Sequence, residues 1–435
     1  MENKKSNSQF YTAMIILASL FGIMGLLSWV NAMLIPYFKL ACELTHTQSY
    51  FVTLAFYFAY FFISFPASLM LDKIGYKKGI AVGLCSMSLG ALTFVPAALL
   101  CEYYLFLAGL FIIGTGLAVL QTAANPYVTN IGPIDTATRR ISIMGLANKA
   151  MGIIAPLLFA VIILKPEDKE LFAQLNANAI VGTERTQVLS ELILRVIPPY
   201  TALAGFLFIF AIVVLFSKLP ELNLKSENGD KAELEGRSSP FAYPYLVLGA
   251  FAIFFHVASQ IVAIDTVINY AGTMGIDMNE AKIFPMITLS CTFIGYIAGI
   301  IVIPRFATQK TMLQLCVSLG MILSCCVLLF TFDTSFLKAG TNASIWFICL
   351  LGFPNSLIYA GIWPLAIRGL GKWTNRGSSL MVMALCGNAL MPLLYGIIAD
   401  KSDPHTAYIV LIPCFAYLIF YAFFGYKIEH WKKNK

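Results

Sequence analysis

A run of about 18 or more residues with almost no charge is long enough to cross a lipid bilayer as a helix. This chain of 435 residues carries one such run after another, and the pattern reads as twelve spans. In lipid, a helix satisfies every backbone donor and acceptor within its own segment. The runs therefore predict an all-α membrane protein. Composition agrees, because charged residues are only 12% of the chain where soluble domains carry about 25%. The first run is too long for a signal-peptide core, so no cleaved leader is expected. The net charge of +7 is not read as nucleic-acid binding, because it is distributed as a topology signal.

In the first half the predicted spans are Tyr11–Phe38, Phe51–Leu71, Ile80–Leu100, Tyr104–Asn130, Ile141–Leu164 and a sixth ending near Lys218. The segment Lys165–Arg195 reads as a polar, charge-mixed loop. A hydrophilic linker, residues 218–243, then separates a first half, 1–217, from a second half, 244–435. Six more spans centre near Ile261, Phe293, Leu323, Asn355, Ala389 and Leu418. The N-tail, the even-numbered loops and the C-tail hold about 20 Lys and Arg and the opposite loops about 8, which predicts both termini in the cytoplasm. The halves also repeat. Arg140, Ser142 and Pro156-Leu-Leu-Phe-Ala-Val-Ile162 parallel Arg376, Ser378 and Pro392-Leu-Leu-Tyr-Gly-Ile-Ile398 at one constant offset.

Most of the ten cysteines fall inside apolar runs, where Cys behaves as a small hydrophobe. Cys42 and Cys101 fall near predicted outer loops, and that placement allows a disulfide. No CxxC, HExxH or phosphate-loop pattern occurs, so no metal and no cofactor is expected.

Polar residues inside the spans are the candidates for function, because hydrocarbon offers them no partner. Gln121 and Asn125 lie one helical turn apart on span 4, just before Pro126. Such amides either glue helices together or face a watery cavity. Lys149 is the one basic residue at depth. It sits nine residues past Arg140, about 13 Å along a helix. It serves either as a structural group bonded to carbonyls or an acid, or as a substrate contact. Asp265 on span 7 is the one acid well inside a span, preceded by His256 and Gln260. It either binds a coupling ion, pairs with Lys149, or sits in a wet outer vestibule. Span 10 carries Asn355, Tyr359 and Trp363 at steps of four. That stripe is either aromatic packing or a set of groups suited to a sugar, with amides for hydroxyls and a ring for an apolar face. Trp29, Asn31, Asn148 and Asn388 add polar groups on spans 1, 5 and 11. Between spans 2 and 3, Asp72, Lys73, Gly75 and Lys78 form a compact charged turn, with Asp72 placed to cap or bridge helix ends.

Several of these stretches carry a resemblance. Gln121-Thr-Ala-Ala-Asn-Pro-Tyr-Val-Thr129, followed by Gly132-Pro133, resembles the fourth-helix signature of the fucose/galactose/glucose symporter family, a branch of the major facilitator superfamily. Asp72-Lys-Ile-Gly-Tyr-Lys-Lys78 resembles that superfamily's loop signature, with Ser68 where a Gly is usual. Leu34-Ile-Pro-Tyr-Phe-Lys39 with Glu43-Leu-Thr45, Ile143–Gly152, Asp265-Thr266 and Ile362-Trp363-Pro364 resemble the branch that handles glucose, galactose or N-acetylglucosamine. The resemblance implies parallel six-helix repeats with a substrate site near the midplane. It implies a permease for a neutral hexose or N-acetylhexosamine, working by alternating access as a cation symporter coupled to Na⁺ or H⁺. A uniporter and an exporter of drugs or metabolites are the alternatives within that fold. The implied partners are the sugar and the lipid bilayer, with no obligatory protein partner. Fucose-type members carry an Asp in helix 1 and a Glu in helix 4. Those positions are Ala32 and Gln121 here, and neither titrates, which leaves Lys149 and Asp265 as the charged candidates. A membrane enzyme would need paired acids, His ligands or a nucleophile with its base, and no such grouping is present. A sugar sensor would need an output domain, for which the linker and tail are short.

Overall fold

A computed structural model describes residues 2–44, 48, 51–132, 136–163, 168–176, 179–217, 239–276, 281–303, 305–334 and 341–431. The fold is a bundle of long helices. Span 1 is α1 (Glu2–Ala41) and span 2 is α2 (Phe51–Ile74). Span 3 is divided into α3 (Tyr76–Leu92) and α4 (Phe94–Leu99). The division falls at Thr93, just after Leu92, whose carbonyl the ring of Pro96 would meet four residues on. Span 4 is α5 (Tyr103–Asn130) and span 5 is α6 (Ala137–Ile163).

The segment expected as a loop between spans 5 and 6 folds as α7 (Asp168–Asn176) and α8 (Gly182–Leu194). Two of its arginines are held in ion pairs, while Glu170, Glu184 and Glu191 are exposed. Arg195 grips both oxygens of Asp168 at 2.9 and 2.7 Å, and Arg185 meets Glu43 at 2.6 Å. Asp168 and Glu170 also lie in the first turn of α7, where the helix dipole favours negative charge. Span 6 is α9 (Ile197–Phe216). The linker expected at 218–243 lies outside the described residues up to position 238.

Span 7 is broken at Thr266 into α10 (Pro244–Asp265) and α11 (Val267–Thr273). Spans 8 and 9 are α12 (Ile283–Val302) and α13 (Gln309–Leu329). A short antiparallel pair, β1 (Asp333–Thr334) with β2 (Thr341–Asn342), precedes span 10. That span is α14 (Ala343–Leu350) and α15 (Gly352–Ile367). Span 11 is α16 (Thr374–Met383) and α17 (Gly387–Lys401), and span 12 is α18 (Leu411–Phe423). Eleven helical stretches among the described residues are long and apolar enough to cross a membrane. The 27-residue α6 has the length of the twelfth.

Burial follows the membrane logic. On α2, Tyr57, Tyr60, Ser64 and Ser68 are buried, while Phe58, Phe61, Phe62, Phe65 and Leu69 are exposed. The polar edge faces the bundle and the pure hydrocarbon faces lipid. Small residues let helices close up without a hydrophobic drive between them. A Cβ at Gly83 of α3 would meet the Gly116 carbonyl of α5 at 2.9 Å. At Gly25 of α1 it would collide with the Asn148 carbonyl of α6.

One end of the bundle joins spans 1–6 to spans 7–12. Asn375 at the start of α16 donates to Asp72 and accepts from the Tyr76 hydroxyl. Thr138 at the start of α6 donates to Gln309, and its hydroxyl also reaches the Ala360 carbonyl at 3.0 Å. Phe10 on α1 lies beside Gly132 and Arg140 at this end. Lys310 sits 5.2 Å over the Tyr426 ring. Trp431 donates to the Phe241 carbonyl at 2.7 Å, next to the start of α10. The first and last described stretches therefore lie at the same end.

Candidate functional site

The candidate residues of spans 1 and 5 form one assembly. Lys149 is 5% exposed. Its ammonium lies 4.0 Å from the centre of the Trp29 ring, a cation–π contact. It donates to Gln260 Oε1 of α10 at 3.4 Å, a long bond and its one bond to a side chain among the described residues. The five-membered ring of Trp29 fits a notch at Gly152, where a Cβ would come within 2.5 Å of it. Trp29 Nε1 donates to Asn148 Oδ1 at 3.4 Å, and Asn148 Nδ2 donates to the Phe21 carbonyl at 3.1 Å. Asn148 thus clamps α1 to α6 and holds the ring on which Lys149 rests. Asn31 lies on α1, with its side chain outside the described residues.

Spans 2, 4 and 10 meet through amides and phenols. Gln121 Nε2 donates to the Tyr60 hydroxyl at 3.2 Å. Asn125 Nδ2 donates to the Tyr359 hydroxyl at 3.0 Å. Tyr359 stacks on Trp363 with ring centres 5.5 Å apart, and the His256 ring lies 6.3 Å from that of Tyr359. Asn355 accepts from Ser259 at 3.4 Å. Asn388 is half-buried in the first turn of α17. The adjacent Gly387 lets that turn close on the Phe254 carbonyl of α10.

Among the described residues, Asp265 Oδ1 on α10 and Trp363 Nε1 on α15 are buried with no hydrogen-bond partner, while the His256 ring and the Asn355 amide, each with a buried polar atom left over, lie within reach of one another. A buried polar atom without a partner costs about 1–3 kcal/mol, and native interiors rarely tolerate a group of them. These atoms are suited to a polar ligand able to donate and accept. No group of His, Cys, Asp or Glu among the described residues could hold a metal ion.

Asp265 is the last residue of α10, at the break in span 7. Among the described residues no direct ion pair joins it to Lys149, although the two lie within electrostatic reach. Asn269, one turn further on, is exposed and belongs to α11.

The charged turn is organised differently from the candidates at depth. Gly75 has φ +82° and ψ 166°, a backbone conformation essentially reserved to glycine, and its N–H closes on the Leu71 carbonyl at 2.9 Å. Asp72 serves Asn375, whereas Lys73 and Lys78 are exposed. It is Lys77 that reaches the Ser217 carbonyl, at 2.7 Å. Cys42 and Cys101 are both free thiols.

Sequence reasoning passed over Tyr57 and Tyr60 of α2 and Tyr296 of α12. Tyr296 packs against Gly145 of α6, where a Cβ would lie 2.5 Å from the ring. The signal for the first two was present: within a Phe-rich span, the residues bearing hydroxyls recur at positions 57, 60, 64 and 68, on one face.

A sequence model of the Major Facilitator Superfamily matches residues 17–384. The chain belongs to that superfamily. It is 31% identical over 422 residues to a glucose/galactose transporter of Brucella abortus, covering 97% of this chain and 96% of that protein. It is 30% identical over 422 residues to the L-fucose-proton symporter of Escherichia coli strain K12, covering 94% and 92%. The fold superposes on the superfamily transporter FucP in its outward conformation with a TM-score of 0.79 at 29% identity, over 96% of this chain and 99% of that one. The proton:xylose symporter XylE matches with a TM-score of 0.62 at 12% identity, over 94% and 95%, a likeness of fold alone. These relatives are carriers, and none is an enzyme.

Proposed function

We propose that this major facilitator is a sugar permease that moves a neutral hexose or N-acetylhexosamine by alternating access as a cation symporter. The observation that carries the reading is the set of buried, under-bonded polar groups on α10 and α15, with Asn125 of α5 bonded to Tyr359 of α15. A sugar presents many hydroxyls, each able to donate and accept, and such a set could bind several at once. The names of the relatives, glucose/galactose transporter and L-fucose-proton symporter, support the same class. In this reading Gln121, Asn125, Gln260, Asn355, Tyr359 and Trp363 contact the sugar, with Lys149 as a hydroxyl donor. Asn388 borders the site. Trp29 and Asn148 hold Lys149 in place. The halves 1–217 and 244–435 rock about the linker 218–243. The excess of Lys and Arg in the tails and even-numbered loops favours both termini in the cytoplasm of a cell bounded by this membrane.

The test is uptake of labelled glucose, galactose, N-acetylglucosamine and fucose into proteoliposomes, under a Na⁺ gradient, a proton gradient or neither. Accumulation above equilibrium of at least one sugar under one gradient is expected. Equal final levels under all three would make the protein a uniporter, and no uptake of any sugar would reject the reading. Lys149→Ala is expected to lower uptake with membrane expression intact.

A further inference from the structure

The membrane interior holds two opposite charges on opposite sides of the interface between spans 1–6 and spans 7–12, and both are under-bonded. Lys149, with three N–H donors, has among the described residues one long hydrogen bond to an amide and a ring face. Asp265 has a buried carboxylate oxygen with no partner among the described residues. It also ends a helix, where the negative pole of the dipole opposes a second negative charge. That position favours a cation or a proton. A hard metal cation takes several oxygen ligands at once, and among the described residues no group of three or more His, Cys, Asp or Glu side chains could hold one. The adjoining cluster of Trp29, Ile261, Ile264 and Leu289 is apolar. A proton needs a single lone pair. The titratable groups within electrostatic reach of Asp265 are Lys149 on α6 and Tyr57 on α2, and His256 of α10 faces Lys149 in turn.

We infer that Asp265 carries the coupling proton, and that the Lys149 ammonium is a tethered cation that takes the proton's place on Asp265 when the carrier is empty. In the loaded carrier the proton forms an O–H bond at Asp265 and Lys149 stays on Trp29 and Gln260. When that O–H bond breaks, the proton passes to water on the far side and the carboxylate becomes an anion. Rocking of α6 against α10 then brings the ammonium onto it, so the empty carrier returns with its two charges paired. With a neutral sugar, one positive charge crosses per cycle, on the loaded step. This rests on the sugar-transport reading and adds to it the ion, its seat and the reason that the empty return does not strand a bare carboxylate in the membrane.

The experiment compares wild type, Asp265→Asn and Asp265→Glu in proteoliposomes, reading sugar exchange by counterflow and accumulation under a proton gradient or a Na⁺ gradient. Absence of counterflow in wild type would reject sugar transport itself. Given counterflow, wild type is expected to accumulate under the proton gradient alone. Asp265→Asn, a permanent stand-in for the protonated acid, is expected to exchange sugar but reach only the equilibrium level. Asp265→Glu is expected to restore accumulation with a shifted pH optimum. Lys149→Gln is expected to lower net uptake more than exchange, because the empty return loses its counter-charge. Accumulation by Asp265→Asn would overturn the inference, as would accumulation driven by Na⁺ alone. Loss of exchange together with accumulation in correctly inserted Asp265→Asn would also overturn it, by placing the carboxylate in sugar binding or structure.

Discussion

Asn125 and Tyr359, 234 positions apart, share a hydrogen bond of 3.0 Å between an amide of α5 and a phenol of α15. With the Lys149–Gln260 contact, it is one of two polar links across the middle of the bundle made by side chains proposed to bind the sugar. A group that both holds the interface shut and binds substrate makes binding compete with closure. Such competition is how a ligand shifts a two-state equilibrium.

Tyr359→Phe keeps the ring stacked on Trp363 but removes the acceptor for Asn125. The stranded donor costs about 1–3 kcal/mol in the empty, closed carrier, which relieves the competition with sugar, so half-saturation for sugar in counterflow is expected to fall severalfold. The double variant with Asn125→Ala is expected to show less than the sum of the two single effects, since the pair acts as one unit. Full additivity would show that the bond carries no coupling.

Asn375 joins two partners at the end of the bundle that carries the termini, accepting from Tyr76 and donating to Asp72. Asn375→Ala releases both at once. A cysteine placed at Ser378, buried on the same helix, is expected to react several-fold faster with an impermeant maleimide supplied from that side. An unchanged rate would mean that packing, not this latch, holds the end closed.

The bundle was legible because lipid leaves a chain few options. Apolar length predicts helices, and the repeat at Pro156 and Pro392 predicts paired halves. The segment around Asp168 was misjudged because single charges look solvated in sequence. Only the fold shows that Arg195 lies against Asp168 and Arg185 against Glu43. The break at Thr266 was hidden for a related reason, since neither Gly nor Pro marks it. Asp265 was legible as an acid in a span, but its place at a helix end was not. Trp29 illustrates the remaining limit. Its ring looks available in sequence, yet it is covered by Lys149 and seated in the notch at Gly152.

The two ion pairs of the inserted helices are expected to differ sharply in worth. Asp168 is 3% exposed, and Arg195 bonds both of its oxygens. Removing one partner of such a buried pair costs about 3–5 kcal/mol, so Asp168→Asn is expected to lower the melting temperature by several degrees. The Glu43 side chain is 54% exposed, and exposed pairs contribute about 0–1 kcal/mol. Glu43→Gln is therefore expected to shift melting little, and less still in high salt. Similar losses in a thermal-shift measurement would contradict this ranking.

Gly25 and Gly205 offer the same substitution in opposite settings. At Gly25 a methyl group would run into the Asn148 carbonyl, so α1 and α6 could not keep their separation. Overpacking of this kind costs about 1–3 kcal/mol, and here it would also displace the Asn148 clamp and the Trp29 ring beneath Lys149. Gly205 on α9 has nothing within 4 Å of the added atom, and alanine is the better helix former by about 1 kcal/mol. Gly25→Ala is thus expected to lower both the melting temperature and sugar exchange, and Gly205→Ala to leave exchange intact with equal or higher stability. If Gly25→Ala behaved like Gly205→Ala, the close approach of α1 to α6 would not be what holds Lys149 in place.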